Sequence, residues 1–222
     1  MKLICLGDSL MQENHEDTYP QKGWPQALPL YLKDSVSVKD YAKNGRSTKS
    51  FLDEGLFKEA LEDAKEGDVC LISFGHNDEK KEDPSRYTKP YGDYQKNLEY
   101  MISEMAKKGV RSILLTSVTR LKFDENGNLR HTHMEYPDAM KALATRLNVP
   151  LIDLEELTYQ DLKSHDIGYD EGHYMIFPKD TYPNYPEGKN DTTHMKEEGA
   201  RWICSLVVPE LKKIDFVSDI FA

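Results

Sequence analysis

The sequence predicts one α/β domain, a three-layer α/β/α sandwich built on a five-stranded parallel sheet. The 222 residues are enough for a single domain, residues 1–222, with a sizeable buried core and no flexible tether. Five short runs rich in β-branched and apolar side chains recur along the chain, with helical periodicity between them. Strands that alternate with helices in this way form parallel sheets. The predicted strands cover residues 3–6, 36–41, 69–74, 113–118 and 151–154.

Three helices have clear signals in the sequence. The helix predicted for residues 91–108 ends before Gly109, a residue type common just past helix ends, and a second predicted helix covers residues 136–147. One face of the first helix carries Leu98, Met101, Ile102 and Met105. A last helix from about residue 196 carries Trp202, Ile203, Leu206 and Val207 at helical spacing and closes the domain.

Right-handed crossovers between five parallel strands favour a flavodoxin-like strand order, in which ligands bind at the carboxyl edge of the sheet. The segments that leave the first three strands, residues 7–10, 44–47 and 75–78, are polar and contain glycine, so they should meet at that edge. Residues 165–190 are rich in Tyr, Pro and Gly and are predicted to form a long irregular loop that lines the site.

Composition excludes several classes of partner. The net charge is −10, so the basic surface that nucleic-acid binding requires is not expected. No apolar run approaches the roughly 20 residues of a membrane span, and the first predicted strand follows Met1 directly, without room for a signal peptide. Cys5, Cys70 and Cys204 lie far apart in apolar stretches, as is typical of buried free thiols in a reducing compartment. We therefore expect a cytoplasmic protein that binds neither nucleic acid nor membrane; no feature predicts its oligomeric state.

Ser9, Asp191 and His194 have the residue types of a nucleophile, an orienting acid and a base. A serine hydroxyl is a weak nucleophile unless a base lies within hydrogen-bond reach and a third group orients that base. A separation of three residues at a helix entrance would turn Asp191 and His194 to the same side, with the second ring nitrogen of His194 facing Ser9. Asp191 has an alternative role as the N-cap of the last helix, and the two roles are compatible.

Donors for an oxyanion are available in the same segments. The backbone N–H groups of Ser9 and Gly45 and the side-chain amide of Asn77 are candidates, and glycine at position 45 would let the backbone approach closely. Asn77 could instead bridge a loop. Asp78 is expected to do so, because its carboxylate can hold the neighbouring segments through backbone donors.

The chain resembles the SGNH/GDSL hydrolases in four sequence blocks that appear in the order typical of that superfamily. These blocks are Gly7-Asp8-Ser9-Leu10, Gly45, Gly75-His76-Asn77-Asp78 and Asp191-Thr192-Thr193-His194. Within the superfamily it is similar to rhamnogalacturonan acetylesterases at residues 19–24, 44–47, 51–55, 74–78 and 191–200. The resemblance implies the SGNH hydrolase fold, Ser9, Asp191 and His194 as triad, Gly45 and Asn77 in the oxyanion hole, and no cofactor. Leu10 departs from the acetylesterases, which often have Thr there.

Four further residues are predicted to bind substrate: Arg46, His76, Arg120 and Tyr182. The two arginines follow the second and fourth strands and would attract an anionic, uronate-containing saccharide, although surface charges are usually only solvated. His76 could equally be a structural donor. Tyr182 either contributes to packing or offers a platform for a sugar ring.

No metal site is predicted. His131 and His133 form an H-x-H pair, but no third and fourth ligand of suitable spacing accompanies them, and a solvated loop explains the pair equally well. The motifs G-x-G-x-x-G, Walker A, H-E-x-x-H and G-x-S-x-G do not occur, so nucleotide-binding, zinc-protease and α/β-hydrolase interpretations lack support.

The leading functional hypothesis is a serine esterase that removes O-acetyl groups from rhamnogalacturonan or other pectin-derived saccharides through an acetyl-enzyme. Without a leader, it would act on oligosaccharides after their import. A lysophospholipase or thioesterase of the same superfamily is an alternative, although the polar and aromatic segment 165–190 does not suit an acyl-chain pocket. A non-catalytic saccharide-binding module is the second alternative.

Overall fold

The computed structural model describes residues 1–222 and contains the predicted five-stranded parallel sheet. Its strands are β1 Lys2–Gly7, β2 Ser37–Asp40, β3 Val69–Ser73, β4 Arg111–Leu115 and β5 Leu151–Ile152. Their order across the sheet is β2-β1-β3-β4-β5, and every pairing is parallel. The predicted fold class and the flavodoxin-like strand order are confirmed.

Helices cover both faces of this sheet. The α-helices are α1 Thr48–Asp53, α2 Leu56–Asp63, α3 Gln95–Lys107, α4 Tyr136–Leu147, α5 Leu154–Lys163, α6 Ile167–His173 and α7 Glu197–Leu211. Short 3₁₀ helices cover Glu16–Thr18, Trp24–Tyr31 and Ser218–Ile220, and a π-helical turn covers Pro90–Tyr94. Helices with the length and apolar character that a bilayer crossing requires are absent.

Two hydrophobic clusters lie on opposite faces of the sheet. Leu3, Cys5 and Leu71 pack on one face with side chains of α7 and the 3₁₀ helix Trp24–Tyr31. Ile4 and Leu6 point to the other face and pack with side chains of α1 to α4. Both faces of the central strands are therefore buried, which is why these strands appear in the sequence as continuous apolar runs.

Most differences from the predicted elements lie at their ends. The predicted helix 136–147 matches α4, whereas the helix predicted for 91–108 begins later, because Tyr91 and Gly92 have non-helical backbone angles. Its C-terminal stop is as predicted, with Gly109 at φ +73°. The last strand ends at Ile152, since the Asp153 side chain accepts a backbone hydrogen bond and begins α5.

The prediction of a long irregular loop over residues 165–190 is wrong. The segment begins with α6, which the side chain of Asp166 caps by accepting the Tyr169 N–H at 2.9 Å. It continues into an antiparallel hairpin of β6 Tyr174–Phe177 and β7 Lys189–Met195, so only the connection 178–188 is irregular. The hairpin was missed because β6 has only four residues and the adjoining turn chemistry dominates the pattern.

Candidate active site

The three polar segments meet at the carboxyl edge of the sheet, as predicted. Gly7 at the end of β1 pairs with Ser73 at the end of β3. The segment after β2 joins them, because the Lys43 N–H donates to the Gly7 carbonyl at 3.1 Å. Farther along, the Asn77 Nδ2 donates to the Arg46 carbonyl at 3.0 Å.

Ser9 lies in a tight turn that the preceding two residues make possible. The Asp8 carboxylate accepts the Leu10 N–H at 3.0 Å, and the Asp8 carbonyl accepts the Met11 N–H at 3.1 Å. A Cβ on Gly7 would lie 2.7 Å from the Ser73 carbonyl oxygen, so only glycine fits between the two strands. The Gly-Asp-Ser sequence therefore has a structural basis: a close backbone approach, then a carboxylate-capped turn that leaves the Ser9 hydroxyl at the edge.

Ser9, His194 and Asp191 form a continuous chain of hydrogen bonds. The His194 Nε2 lies 2.9 Å from the Ser9 Oγ, and the His194 Nδ1 lies 2.7 Å from the Asp191 Oδ2. Because a carboxylate can only accept, Asp191 selects the tautomer with the proton on Nδ1 and leaves Nε2 as an acceptor for the serine proton. This is the geometry that an activated serine requires.

Asp191 and His194 lie in β7, so the prediction that they stand at a helix entrance is wrong. Tyr174 pairs with Met195 and Met175 pairs with Asp191, so residues 192–194 bulge opposite one peptide link. The Asp191 Oδ1 stabilises this bulge by accepting the N–H groups of Thr193 and His194 at 2.9 and 3.1 Å. The N-cap of α7 is Lys196, which excludes the N-cap role for Asp191.

Two neighbouring backbone segments hold the bulged strand in place. The Leu121 N–H donates to the Thr192 carbonyl at 2.9 Å, and the Lys22 N–H donates to the Met195 carbonyl at 3.0 Å. The buried Tyr174 hydroxyl donates to the Thr119 carbonyl at 2.6 Å, which fixes the partner strand to the same loop. The position of the His194 ring is thus set by main-chain contacts on both sides.

The electrostatic environment keeps Asp191 ionised. Burial acts to raise the pKa of this carboxyl, but the hydrogen bond and charge of His194 and the N–H donors of the bulge together hold the pKa well below its usual range. The Lys189 Nζ lies 3.6 Å from the Asp191 Oδ2 and over the Tyr185 ring at 4.7 Å. Lys189 therefore adds a cationic partner to Asp191 that the sequence patterns did not indicate.

Three donors in the polar segments at the carboxyl edge of the sheet are uncommitted. The backbone N–H groups of Ser9 and Gly45 donate to no protein acceptor, and the Asn77 amide has a second hydrogen beyond the one given to Arg46. Gly45 has φ +77°, and the nearest atom to a Cβ placed there is the Arg86 Nη1 at 3.7 Å. Glycine at this position therefore serves a left-handed backbone conformation and not the close approach that we predicted.

A family model described as the GDSL-like lipase/acylhydrolase family matches residues 5–202. The chain belongs to this family. The rhamnogalacturonan acetylesterase RhgT of Bacillus subtilis is 37% identical over 214 residues, covering 96% of this chain and 90% of that protein. The probable rhamnogalacturonan acetylesterase YesY of the same organism is 35% identical, with coverages of 96% and 93%. The crystal structure of Bacillus subtilis YxiM has a TM-score of 0.80 at 25% identity, covering 96% of this chain and 56% of that one.

The chain is thus a carboxylic ester hydrolase of the GDSL type. Its departure from the acetylesterase pattern at Leu10 has an explanation in the packing of the core. The Leu10 side chain is buried and belongs to the cluster that includes Trp24 and α7. It points away from the catalytic edge into the core, so the difference at this position does not alter the polar groups around Ser9.

His76 of this GDSL hydrolase lies behind the Ser9 turn. Its side chain is 6% exposed, and its Nδ1 lies 3.5 Å from the Asp8 Oδ2. Burial, assisted by the charge of His133, lowers the pKa of His76 to about 4, so the ring is neutral at neutral pH. This placement favours a structural role over the predicted contact with substrate.

The two arginines predicted to bind a uronate already have acidic partners in the GDSL hydrolase. The Arg120 side chain is 13% exposed and lies 2.5 Å from Glu79. The Arg46 Nε and Nη2 lie 2.9 and 2.7 Å from the Glu54 Oε2, at the surface. A saccharide carboxylate would have to compete with these carboxylates, and Arg120 has little surface left to meet it.

Tyr182 lies in the connection 178–188, close to residues 16–19, which precede the 3₁₀ helix Trp24–Tyr31. Its ring packs edge-on against Phe177 at 4.7 Å and against Tyr19 at 5.7 Å between centroids. The Asn184 Nδ2 donates to the Glu16 and Tyr19 carbonyls at 2.7 and 3.0 Å. The hairpin turn is therefore attached to residues 16–19, and the predicted aromatic surface is assembled from both segments.

Asp78 bridges segments as predicted. Its carboxylate accepts the Thr48 N–H at 3.1 Å, at the start of α1, and the Thr88 hydroxyl at 2.7 Å. Burial raises the pKa of Asp78 to about 7 despite these donors. Asp78 thus connects the segments that carry Gly45 and Asn77 without facing Ser9.

The two histidines of the H-x-H pair have different environments. His131 is exposed and stacks on Tyr159 at 3.9 Å. His133 is fully buried, with its Nε2 2.9 Å from the Val118 carbonyl and its Nδ1 3.3 Å from Glu79. The structure contains no group of three or more His, Cys, Asp or Glu side chains placed to hold a metal ion.

Proposed function

We propose that this GDSL hydrolase removes O-acetyl groups from rhamnogalacturonan or other pectin-derived saccharides, with Ser9 as the nucleophile. The observation that carries the chemistry is the hydrogen-bonded chain from Ser9 through His194 to Asp191, at 2.9 and 2.7 Å. The substrate part rests on the 37% identity to the rhamnogalacturonan acetylesterase RhgT, which extends over nearly all of both chains.

In the first half of the reaction, the Ser9 Oγ attacks the carbonyl carbon of the acetyl ester while its proton passes to the His194 Nε2. The charge of Asp191 stabilises the imidazolium that forms. When the tetrahedral intermediate collapses, the bond to the saccharide oxygen breaks and His194 returns the proton to that oxygen. The products of this half are a free sugar hydroxyl and acetyl-Ser9.

In the second half, water attacks the acetyl carbonyl, with His194 accepting a water proton and then protonating the Ser9 Oγ as acetate leaves. Both tetrahedral intermediates carry an oxyanion. The uncommitted N–H groups of Ser9 and Gly45 and the free amide hydrogen of Asn77 are the donors proposed to stabilise it. Preorganised donors of this kind contribute roughly 3–4 kcal/mol each to transition-state stabilisation.

The proposed substrate is an oligosaccharide and the proposed location is the cytoplasm. Cys5, Cys70 and Cys204 are free and buried, which suits a reducing compartment. The aromatic surface of Tyr182, Tyr19 and Tyr185 offers faces and hydroxyls that suit sugar rings, and it contains few of the flexible aliphatic side chains that an acyl-chain pocket needs.

The proposal is tested by measuring acetate release from acetylated rhamnogalacturonan oligosaccharides, alongside p-nitrophenyl acetate. Ser9→Ala and His194→Ala should each lower kcat by a factor on the order of a thousand or more while the protein stays folded. Ser205→Ala is the matched control, since the Ser205 hydroxyl donates only to the Trp202 carbonyl within α7. A fluorophosphonate probe should label Ser9 and no other serine.

Different outcomes would reject different parts of the proposal. Full activity in Ser9→Ala would reject the nucleophile. Activity on p-nitrophenyl acetate and on acyl lipids or thioesters, without acetate release from acetylated rhamnogalacturonan, would reject the substrate and favour the lysophospholipase or thioesterase alternative. Saccharide binding without any hydrolysis or labelling would favour the binding-module alternative.

A further inference from the structure

Arg86 lies beside the proposed oxyanion donors, although no sequence motif pointed to it. Its Nη1 lies 3.3 Å from the Asn77 Oδ1 and is the nearest atom to a Cβ placed on Gly45. Its Nε donates to the Asp83 Oδ2 at 2.6 Å, and its backbone N–H donates to the Asp83 carbonyl at 3.0 Å. The guanidinium is therefore held by the Asp83 carboxylate and reaches the Asn77 amide from the loop that follows β3.

The two partners of the Asn77 amide allow only one orientation. A guanidinium has donors and no acceptor, so the Asn77 atom facing Arg86 must be the oxygen. On the other side, the Arg46 carbonyl only accepts, so the atom 3.0 Å from it must be the nitrogen. A flipped amide would place its NH₂ against the guanidinium and its oxygen against a carbonyl, which would leave both contacts unfavourable.

This orientation matters because only the nitrogen of the Asn77 amide can donate to an oxyanion. One amide hydrogen is given to Arg46, and the fixed orientation determines where the second hydrogen points. A cationic donor on Oδ1 also withdraws electron density from the amide, so the Nδ2 hydrogens become more positive and donate more strongly.

We infer that Arg86 is a positioning residue that locks the Asn77 amide with its nitrogen toward the oxyanion of the reaction. The inference rests on the proposed function, because it assigns to Asn77 the role of an oxyanion donor. Arg86 does not touch the reacting atoms. Its effect on catalysis passes through the amide, and it should vanish when the amide is removed.

The kinetic test is a double-mutant cycle of Arg86→Met and Asn77→Ala with p-nitrophenyl acetate. Methionine keeps an unbranched apolar stem of similar length and removes all donors. Arg86→Met should lower kcat by about tenfold to a hundredfold, with KM changed less than about twofold. This is less than the loss of about a hundredfold to a thousandfold expected when an oxyanion donor is removed outright, because the amide itself remains. In the Asn77→Ala background the same substitution should cost less than about twofold more. Arg86→Lys should recover most of the loss, because an ammonium also donates to Oδ1.

A second measurement separates positioning from folding and does not depend on hydrolysis. The side-chain NH₂ resonances of Asn77 in ¹⁵N-labelled protein should shift or broaden in Arg86→Met and stay close to wild type in Arg86→Lys. Arg201→Ala is the control, since Arg201 pairs only with Glu197 on the exposed side of α7.

Three results would overturn the inference. Unchanged kcat in Arg86→Met would do so, as would additive losses in the double variant or unchanged Asn77 resonances. Failure of the proposed function has another signature, namely a wild-type protein that neither releases acetate nor reacts with the fluorophosphonate probe, and in that case the resonances still decide whether Arg86 orients the amide.

Discussion

At the scale of single residues, the two carboxylate oxygens of Asp191 have different hydrogen-bond partners and different roles. Oδ1 accepts hydrogen bonds from the backbone N–H groups of Thr193 and His194, and Oδ2 accepts one from the Nδ1–H of His194. The first contact stabilises the bulge in β7 and the second sets the tautomer. Substitutions that remove one function and keep the other can therefore separate folding from catalysis.

Asp191→Asn should preserve the bulge and abolish the correct tautomer. The amide oxygen can still accept the two N–H groups, while the amide nitrogen would donate to the His194 Nδ1 and force the ring proton onto Nε2. We expect kcat for p-nitrophenyl acetate to fall by a factor on the order of 10⁴, with little change in the melting temperature. Asp191→Ala should lose both properties. An Asp191→Asn variant with more than a tenth of the wild-type kcat would contradict the assignment.

Gly45 gives a prediction about stability. Its φ of +77° is a conformation that side chains disfavour, so Gly45→Ala should lower the free energy of unfolding by about 1–2 kcal/mol in urea titrations. Gly172→Ala is the control, because Gly172 lies in α6, has no positive φ and has open space around its Cβ position. That substitution should stabilise the protein by roughly 0.5–1 kcal/mol. Equal effects at both positions would remove the conformational explanation.

Residue types and their spacing identified the catalytic residues, but they could not identify which side chains pair with one another in the folded protein. Ser9, Asp191 and His194 come together as predicted, because the edge of a parallel sheet determines where such segments meet. Arg46 and Arg120 were predicted to bind a uronate, yet Glu54 and Glu79 pair with them in three dimensions. Arg86 and Lys189 belong to no motif. The contacts of Arg86 depend on the path of the loop after β3, and Lys189 reaches Asp191 from two residues away in β7.

At the scale of elements, the β6–β7 hairpin determines how the catalytic base is presented. Its turn is attached to residues 16–19 through the Asn184 side chain, which donates to two backbone carbonyls. The helices α3, α4 and α7 were predictable from the periodicity of their apolar faces. α1, α2 and α6 are shorter, at six, eight and seven residues, and so short a segment carries too few turns for the period to be recognised.

Asn184→Ala should loosen this hairpin turn. Both carbonyl partners are near the surface and can be rehydrated, so the loss should be about 1 kcal/mol per hydrogen bond. Amide hydrogen exchange should become faster over residues 178–188 and remain unchanged in the central sheet. On the proposed function, KM for an acetylated oligosaccharide should rise while kcat for p-nitrophenyl acetate stays within about twofold.

Asn126→Ala is the matched control, since the Asn126 side chain is exposed and has no hydrogen-bond partner. It should change neither exchange nor kinetics. If Asn184→Ala leaves the exchange of residues 178–188 at the wild-type rate, the turn is held by the aromatic packing around Tyr182 and not by these hydrogen bonds.

At the scale of the whole molecule, a half-buried carboxyl with one buried oxygen makes stability depend on pH. Asp40 ends β2, its Oδ1 accepts the Ala42 N–H at 2.7 Å, and its Oδ2 has no partner. Burial raises the pKa of Asp40 to about 7. Because the folded state then binds more protons than the unfolded state between about pH 4 and pH 7, this group destabilises the fold progressively as the pH rises through that range.

Asp40→Asn should therefore stabilise the protein at pH 8 and have a much smaller effect near pH 4. The asparagine oxygen can keep the Ala42 hydrogen bond, and the side chain carries no charge to bury. The measurement is the difference in unfolding free energy between variant and wild type across pH 4 to 8. A difference that is independent of pH would show that Asp40 does not titrate in this interval.

The overall architecture was the most predictable property of the chain. Five apolar runs separated by helical segments leave few connections that obey short, right-handed crossovers, so the strand order followed. The hairpin was the exception, because its strands pair outside the main sheet and no rule about parallel crossovers applies to them. Its register also depends on a bulge that a side chain, Asp191, stabilises.

The hydrogen bond between Ser9 and His194 joins residues 185 positions apart. Ser9 lies in the turn after β1, and His194 lies in β7. Closing a loop of that length costs of the order of 5 kcal/mol in chain entropy, which the packing of the whole domain must supply. During synthesis, the Ser9 hydroxyl therefore has no base until the β6–β7 hairpin has formed and packed against the sheet. The onset of hydrolytic activity therefore reports that the domain has completed folding. During refolding, turnover of p-nitrophenyl acetate should return together with the fluorescence of the buried Trp24 and Trp202, or after it, but never before.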